Sequence, residues 1–292
     1  MDKTDAEDSD LDYISDECSE FDEIEAADIE INFIDEKNYP DCNIVEQNEP
    51  HFNSKEKNHV PVETLLIDAF KLFISPQIID IVVKYTNQRG NRNFRMMEKR
   101  AKHQVWQNVD ATEIYATIGI LILAGSFKES KLALRFLWHK DPSFSRQIYT
   151  AVMSRNRFTD IFTALRFDDA LTRSERLLVS RLAPISEVSE IFQQNSRAFG
   201  TVGDKLIGEY SCRRATRRWP LVIFQNYIDI GAHNALVVWK ASRPHVKTCR
   251  RGLLQDLGMV LVRPQIAKRA RIIEGVRRKG YQQHVLRAIE AT

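Results

Sequence analysis

The sequence predicts a mainly α-helical fold, and three observations predict it. After Trp219-Pro220, the residues Leu221, Phe224, Ile228, Ala232, Ala235 and Val238 recur at three- and four-residue steps, the pattern of one buried helical face. Ile114 through Ala124 is apolar nearly all round between a capping Asp110 and Gly125, as a helix packed on several sides must be. No period-two apolar run with hairpin turns occurs anywhere in the chain, so nothing predicts a sheet.

The chain has 292 residues and is 43% hydrophobic, enough for one large or two modest domains with a real core. Its formal charge of +2 conceals an asymmetry. Residues 1–58 hold 20 Asp/Glu against 4 Lys/Arg, and the remainder holds 38 basic against 20 acidic residues. The acidic stretch has few runs that could nucleate a core and is expected to be disordered. Tyr13, Ile14, Phe21, Ile24, Ile29, Ile31, Phe33 and Ile34 among the acids leave two readings open, a docking motif for a protein partner or a solubilising tail that shields the basic body. No uninterrupted apolar stretch reaches membrane-spanning length, and the acidic start is unlike a signal peptide, so an intracellular protein without a membrane partner is expected. Cys18, Cys42, Cys212 and Cys249 form no C-x-x-C pair and have no His at ligand spacing, which predicts free thiols and no metal site.

Taken in order, Glu63 to Phe73 reads as a short helix burying Leu66, Ala69, Phe70 and Phe73. Ser75-Pro76 then supplies an N-cap and a first-turn proline for a second helix carrying Ile78, Ile79, Val82 and Tyr85, closed by Asn87 to Gly90. Residues 91–109 are a basic polar connection, with Arg92, Arg95, Lys99, Arg100 and Lys102. Asp110 and Glu113 have capping-box spacing at the start of the apolar helix. A helix is expected over Ser130 to Trp138, with His139 a surface or capping residue, and Asp141-Pro142 makes a turn. Ser154 leads a helix with Phe158, Ile161, Phe162 and Leu165 inward. Asp168-Asp169 could suggest metal-dependent catalysis, but adjacent side chains diverge, and a helix-ending turn is the preferred reading. Leu182-Ala183-Pro184-Ile185 precedes a helix through Ile191, Phe192 and Phe199, and Trp219-Pro220 opens the longest apolar helix with Trp219 and Trp239 as core residues at its ends.

Several of these stretches carry a resemblance. Tyr85-Thr86-Asn87, MSRNRF at 153–158, LRFDD at 165–169, Tyr210-Ser211-Cys212-Arg213-Arg214, Thr216-Arg217-Arg218-Trp219-Pro220, Asn226-Tyr227-Ile228-Asp229 and His233-Asn234-Ala235 are similar to piggyBac-type transposases and the domesticated proteins derived from them. The resemblance implies a helical dimerisation and DNA-binding domain into which a ribonuclease-H-like catalytic core is normally inserted. At Phe199-Gly200 the family pattern stops, and the strands presenting the first two catalytic aspartates have no counterpart. Thr201 stands where the third catalytic Asp is expected, and Asp204 matches only the carboxylate three residues later. Two-metal strand transfer needs several converging carboxylates, so no catalytic residue, no cofactor and no enzyme activity are expected. Asp204 is then a charge near a helix N-terminus. The expected organisation is an acidic tail at 1–58, a first helical half at 59–199, a junction at 200–203, a second half at 204–274 and a basic tail at 275–292. Arg263-Pro264 and Ala267 to Ile273 resemble the last family helix, and the cysteine-rich zinc module that normally follows is absent, as no cysteine follows Cys249.

Residues 200–292 carry 18 Lys/Arg and 6 Asp/Glu, clustered in RRATRR, KTCRR, KRAR and VRRKG. Such clusters suit phosphate neutralisation, which makes Arg213, Arg214, Arg217, Arg218, Arg250, Arg251, Lys268, Arg269 and Arg271 candidates for contacts with double-stranded DNA; a solvated basic face is the alternative. The clusters also resemble nuclear-import signals, so a nuclear location is expected. Three readings compete: a catalytically inactive transposase-derived protein that binds DNA, with a possible homodimer; an interaction module working through the acidic tail; and a decayed fragment without function.

Overall fold

Asn87 shows how the chain returns upon itself. In the computed structural model, which describes residues 62–97, 106–139, 141, 145–199, 210–243, 245–246 and 249–275, its side chain clamps the backbone of Val109 from both sides. The carboxamide oxygen accepts the Val109 N–H at 2.7 Å while the Nδ2 donates to the Val109 carbonyl at 2.8 Å, and the Trp106 indole N–H adds a third bond at 3.2 Å. The acidic stretch, the junction with Thr201 and Asp204, and the tail beyond Gly275 lie outside the described residues.

The first helix, α1, is Val62–Phe73, with Leu66, Ala69, Phe70 and Phe73 buried as their spacing requires. The second, α2, is Pro76–Met97 and does not close at Asn87 to Gly90. Gly90 is a close-approach glycine: a Cβ there would lie 2.1 Å from the Trp106 ring. The missing side chain makes the seat for that indole, so the residues expected to end the helix instead dock the returning chain on it. Pro76 opens α2 as expected, but the Ser75 hydroxyl is buried without a hydrogen-bond partner, and only its backbone carbonyl serves the new helix, accepting from the Ile79 N–H at 3.2 Å.

Helix α3, Ala111–Ser126, is buried along nearly its whole length. Half of the expected capping box forms, since Asp110 accepts the Glu113 N–H at 2.8 Å while the Glu113 carboxylate turns to Arg157, also at 2.8 Å. The helix expected over Ser130 to Trp138 is reduced to the single turn α4, Leu134–Leu137. Lys128, at a φ of 62°, turns the chain, and Glu129 is engaged by Tyr149 and Arg146, so the start of that segment is committed to tertiary bonds rather than a helix. His139 is exposed, and its Nδ1 accepts the Asp141 N–H at 3.2 Å.

Helices α5, Gln147–Val152, and α6, Arg155–Ala164, follow, with Ser154 capping α6 through the Arg157 N–H. Phe158, Ile161, Phe162 and Leu165 are all buried, as expected. After the short α7, Arg173–Val179, a 3₁₀ turn at Ala183–Ile185 leads into α8, Ser186–Phe199. The long apolar helix α9 is Trp219–Ala241, with its proline in the first turn. Trp239 is buried as expected, but Trp219 is 42% exposed and is no core residue, because the helix start faces solvent. The last helix, α10, Arg250–Gly275, starts well before the expected Ala267 and carries Pro264 in its interior, on the exposed side.

No strand occurs among the described residues. The most extensive helix pair is α3 with α10, followed by α1 with α9. The first pair meets glycine on glycine: a Cβ at Gly119 would lie 2.9 Å from the Gly258 carbonyl, and one at Gly258 would lie 2.6 Å from Leu123 Cγ. Helices before residue 200 thus pack against helices after residue 209 in both of the main layers. No described helix is long and apolar enough to cross a membrane.

Candidate nucleic-acid interface

The candidate basic loop is laid along α9 by polar residues that interrupt the apolar pattern of that helix. Asp229, nearly three turns in, accepts the Ser211 hydroxyl at 2.6 Å and the Cys212 N–H at 2.9 Å. One turn earlier, Gln225 accepts the Arg214 N–H at 3.1 Å through its side chain. Burial raises Asp229 above the ordinary carboxylate range against the pull of these donors, and burial likewise raises the Cys212 thiol. Cys212 and Cys249 are free thiols.

With the loop fixed, each of its two arginine pairs splits. Arg213 and Arg217 are exposed, whereas Arg214 and Arg218 turn inward. Arg214 donates to the Leu132 carbonyl at 2.6 Å, and burial pulls it down to about 10. Arg218 donates to the carbonyls of Phe162, Thr163 and Leu165, the last turn of α6 and its C-cap. The final carbonyls of a helix have no intrahelical donor and carry the negative end of its dipole, so a guanidinium there satisfies both bonding and charge.

On α10 the same division appears. Arg269 donates to the carbonyls of Thr150 and Ala151, at 2.7 and 2.6 Å, closing the end of α5, while Lys268 pairs with half-buried Asp110 at 2.6 Å. That lysine and the Glu113 N–H outweigh the burial of Asp110 and leave its carboxyl below the ordinary range. Arg271 is exposed; Arg250 is half-buried, with its guanidinium 6.0 Å from the Tyr210 ring centroid, and Arg251 is half-buried as well. Arg214, Arg218 and Arg269 thus donate to backbone carbonyls of the fold. Arg213, Arg217 and Arg271 present outward charge.

Sequence reasoning misses the strongest ion cluster. Asp168, 5% exposed, is held by Arg173 and Arg176, each at 2.6 Å, and Arg176 also donates to the carbonyls of Ala183 and Asp169. Asp169 accepts the Leu171 N–H at 2.9 Å, the turn-forming role expected of it. The pair is thus a structural corner, and its arginine partners five and eight residues on are the signal that could have found it. The described residues hold no group of three or more His, Cys, Asp or Glu placed to bind a metal ion.

A family model described as Transposase IS4 matches residues 67–206. The chain is similar in fold to a solved structure titled "Cryo-EM structure of piggyBac transposase synaptic complex with hairpin DNA", with 14% identity over 77% of this chain and 84% of that one, at a TM-score of 0.61. No curated protein matches it.

Proposed function

We propose that this chain, whose residues 67–206 match a family model described as Transposase IS4 and whose fold is similar to that of a piggyBac transposase, is a catalytically inactive, transposase-derived DNA-binding protein, nuclear and homodimeric, which contacts double-stranded DNA through its basic body. The observation that carries the reading is the outward pair Arg213 and Arg217 on a loop pinned by Asp229 and Gln225. A fixed loop offers its guanidinium groups to phosphate with little loss of backbone entropy, and an arginine fork matches phosphate geometry. The piggyBac transposase of similar fold is in a complex with hairpin DNA, which favours the same class of partner here. Inactivity follows from the residues at the junction, where Thr201 replaces an expected carboxylate and Asp204 alone cannot hold two divalent ions.

The test is fluorescence anisotropy of the full chain on random duplex and on piggyBac-like terminal repeats over a salt series. Binding should weaken linearly on a log–log plot, and the double substitution Arg213→Ala, Arg217→Ala should reduce the slope by about 1.8, or roughly 0.9 per phosphate contact. A folded sample with no binding at low salt ends the DNA reading. Strand cleavage in magnesium or manganese should be absent, and cleavage abolished by Asp204→Ala would end the inactivity reading.

A further inference from the structure

Gln225, Asp229 and His233 follow one another along α9 at four-residue steps, and the first two hold the returning chain. Gln225 accepts the Arg214 N–H, and Asp229 accepts the Ser211 hydroxyl and the Cys212 N–H. His233 is 8% exposed and makes no hydrogen bond at either ring nitrogen. A neutral imidazole carries one N–H, so this buried ring calls for an acceptor. The charges that act on it belong to Arg250 and Lys240, which are donors only. Asp229, the acid one turn away, has one oxygen engaged by Ser211 and the other by Cys212.

Arg250 opens α10, whose positive dipole end therefore lies on this side of α9. Its guanidinium is 6.0 Å from the Tyr210 ring centroid, and the Lys128 ammonium is 5.7 Å from the same centroid. Tyr210 precedes the Ser211 that Asp229 holds, so these cations gather beside the pinned loop, one helical turn from His233. The first turn of α10 is only weakly capped, since the Gly252 N–H reaches the Cys249 thiol at 3.4 Å.

We propose that His233, Arg250, Lys240 and the first turn of α10 form a binding site for a small phosphate-type oxyanion, such as inorganic phosphate. The imidazole N–H donates to one oxygen, the guanidinium fork matches the geometry of two more, and the helix terminus favours the negative charge. A DNA backbone phosphate has the same chemistry, but with the ring almost wholly buried the anion must enter beneath the loop, a depth that a small ion reaches and a duplex does not. Arg213 and Arg217, which carry the DNA reading, are not members of this set, so the two readings stand or fall separately.

Equilibrium dialysis of the full chain against radiolabelled inorganic phosphate at pH 7, with chloride holding the ionic strength constant, tests the site. One phosphate per chain should bind at millimolar concentration or below, and His233→Gln and Arg250→Ala should each weaken it at least tenfold with an unchanged helical spectrum. The double substitution Arg213→Ala, Arg217→Ala should leave it unaltered. In proton NMR the ring signal lost in His233→Gln should shift on phosphate addition, a readout that does not depend on how well either variant folds. Absence of phosphate binding, binding that ignores both substitutions, or a ring signal that stays in place overturns the site. Displacement of phosphate by random duplex DNA would hand the site to a backbone phosphate and overturn the small-anion assignment.

Discussion

The Gly119–Gly258 crossing allows one substitution to be tested twice with opposite expected signs. At position 119 an alanine Cβ meets Val262 Cγ1 at 2.6 Å, the Gly258 carbonyl oxygen at 2.9 Å and Leu261 Cβ at 3.1 Å. Two of these three atoms cannot rotate away, so relief requires α3 and α10 to separate along their most extensive contact. Overpacking of this kind costs about 1–3 kcal/mol, and the immobile neighbours place it at the upper end. Alanine returns about 1 kcal/mol in helix propensity, leaving a net loss of about 1–2 kcal/mol. Gly252, in the first turn of α10, gives the control: its added Cβ meets only Cys249 Sγ, at the ordinary contact distance of 3.6 Å. There the propensity gain stands unopposed, and Gly252→Ala should stabilise by up to about 1 kcal/mol. Thermal unfolding followed by far-UV circular dichroism should separate the two variants by roughly 4–12 °C, at about 2–4 °C per kcal/mol for a chain of this size. Midpoints that move together, or within a degree of each other, would refute the claim that glycine at 119 is set by helix approach.

Three further outcomes follow from the polar interior. Asp168→Asn leaves two guanidinium groups without their shared carboxylate and should cost about 3 kcal/mol, read as a lower unfolding midpoint together with faster amide exchange across 171–182. Arg218→Ala bares three carbonyls at the end of α6 and should cost about 2–3 kcal/mol, whereas Arg213→Ala should stay within about 0.5 kcal/mol; equal effects would mean that the inward and outward arginines are misassigned. His233 is buried with neither ring nitrogen bonded, and burial, aided by Arg250 and Lys240, lowers it to about 4. Its unfolded value is near 6.5, so the unfolded chain binds the extra proton between these values and stability falls as pH falls through that window. Wild type should lose about 2 kcal/mol relative to His233→Leu between pH 7 and pH 5, measured by urea unfolding, and parallel pH profiles would remove His233 as the cause.

Most of the helical core is legible from spacing alone. Phe158, Ile161, Phe162 and Leu165 on α6, and Leu221, Phe224, Ile228, Ala232 and Ala235 on α9, are buried as their periodicity requires, while Val238 is only half-buried because the helix is leaving the core. What spacing cannot supply is the partner. Asn87 to Gly90 has the composition of a helix stop, and only the arrival of Trp106 and Val109 makes those residues a docking seat. Leu253, Leu254, Leu257 and Leu261 carry a helical step, but Gly252 and Gly258 among them argue against a helix until α3 is seen to need one of them. The basic clusters divide in the same way. Composition counts charge, but whether an arginine meets solvent or the carbonyls of a finished helix depends on where another helix ends. Arg217 and Arg218 are neighbours with opposite assignments, and no local signal separates them.

The partnership of α3 with α10 also has a temporal side. Residues 119 and 258 are 139 positions apart, and at about 5–20 residues per second a ribosome takes roughly 7 to 28 s to pass from one to the other. For that interval the nascent chain carries a sixteen-residue helix, apolar from Ile118 to Gly125, whose main covering surface has not yet been made. The order of synthesis therefore leaves this segment without its main cover for seconds, and slower elongation should lengthen that exposure and with it the opportunity for aggregation.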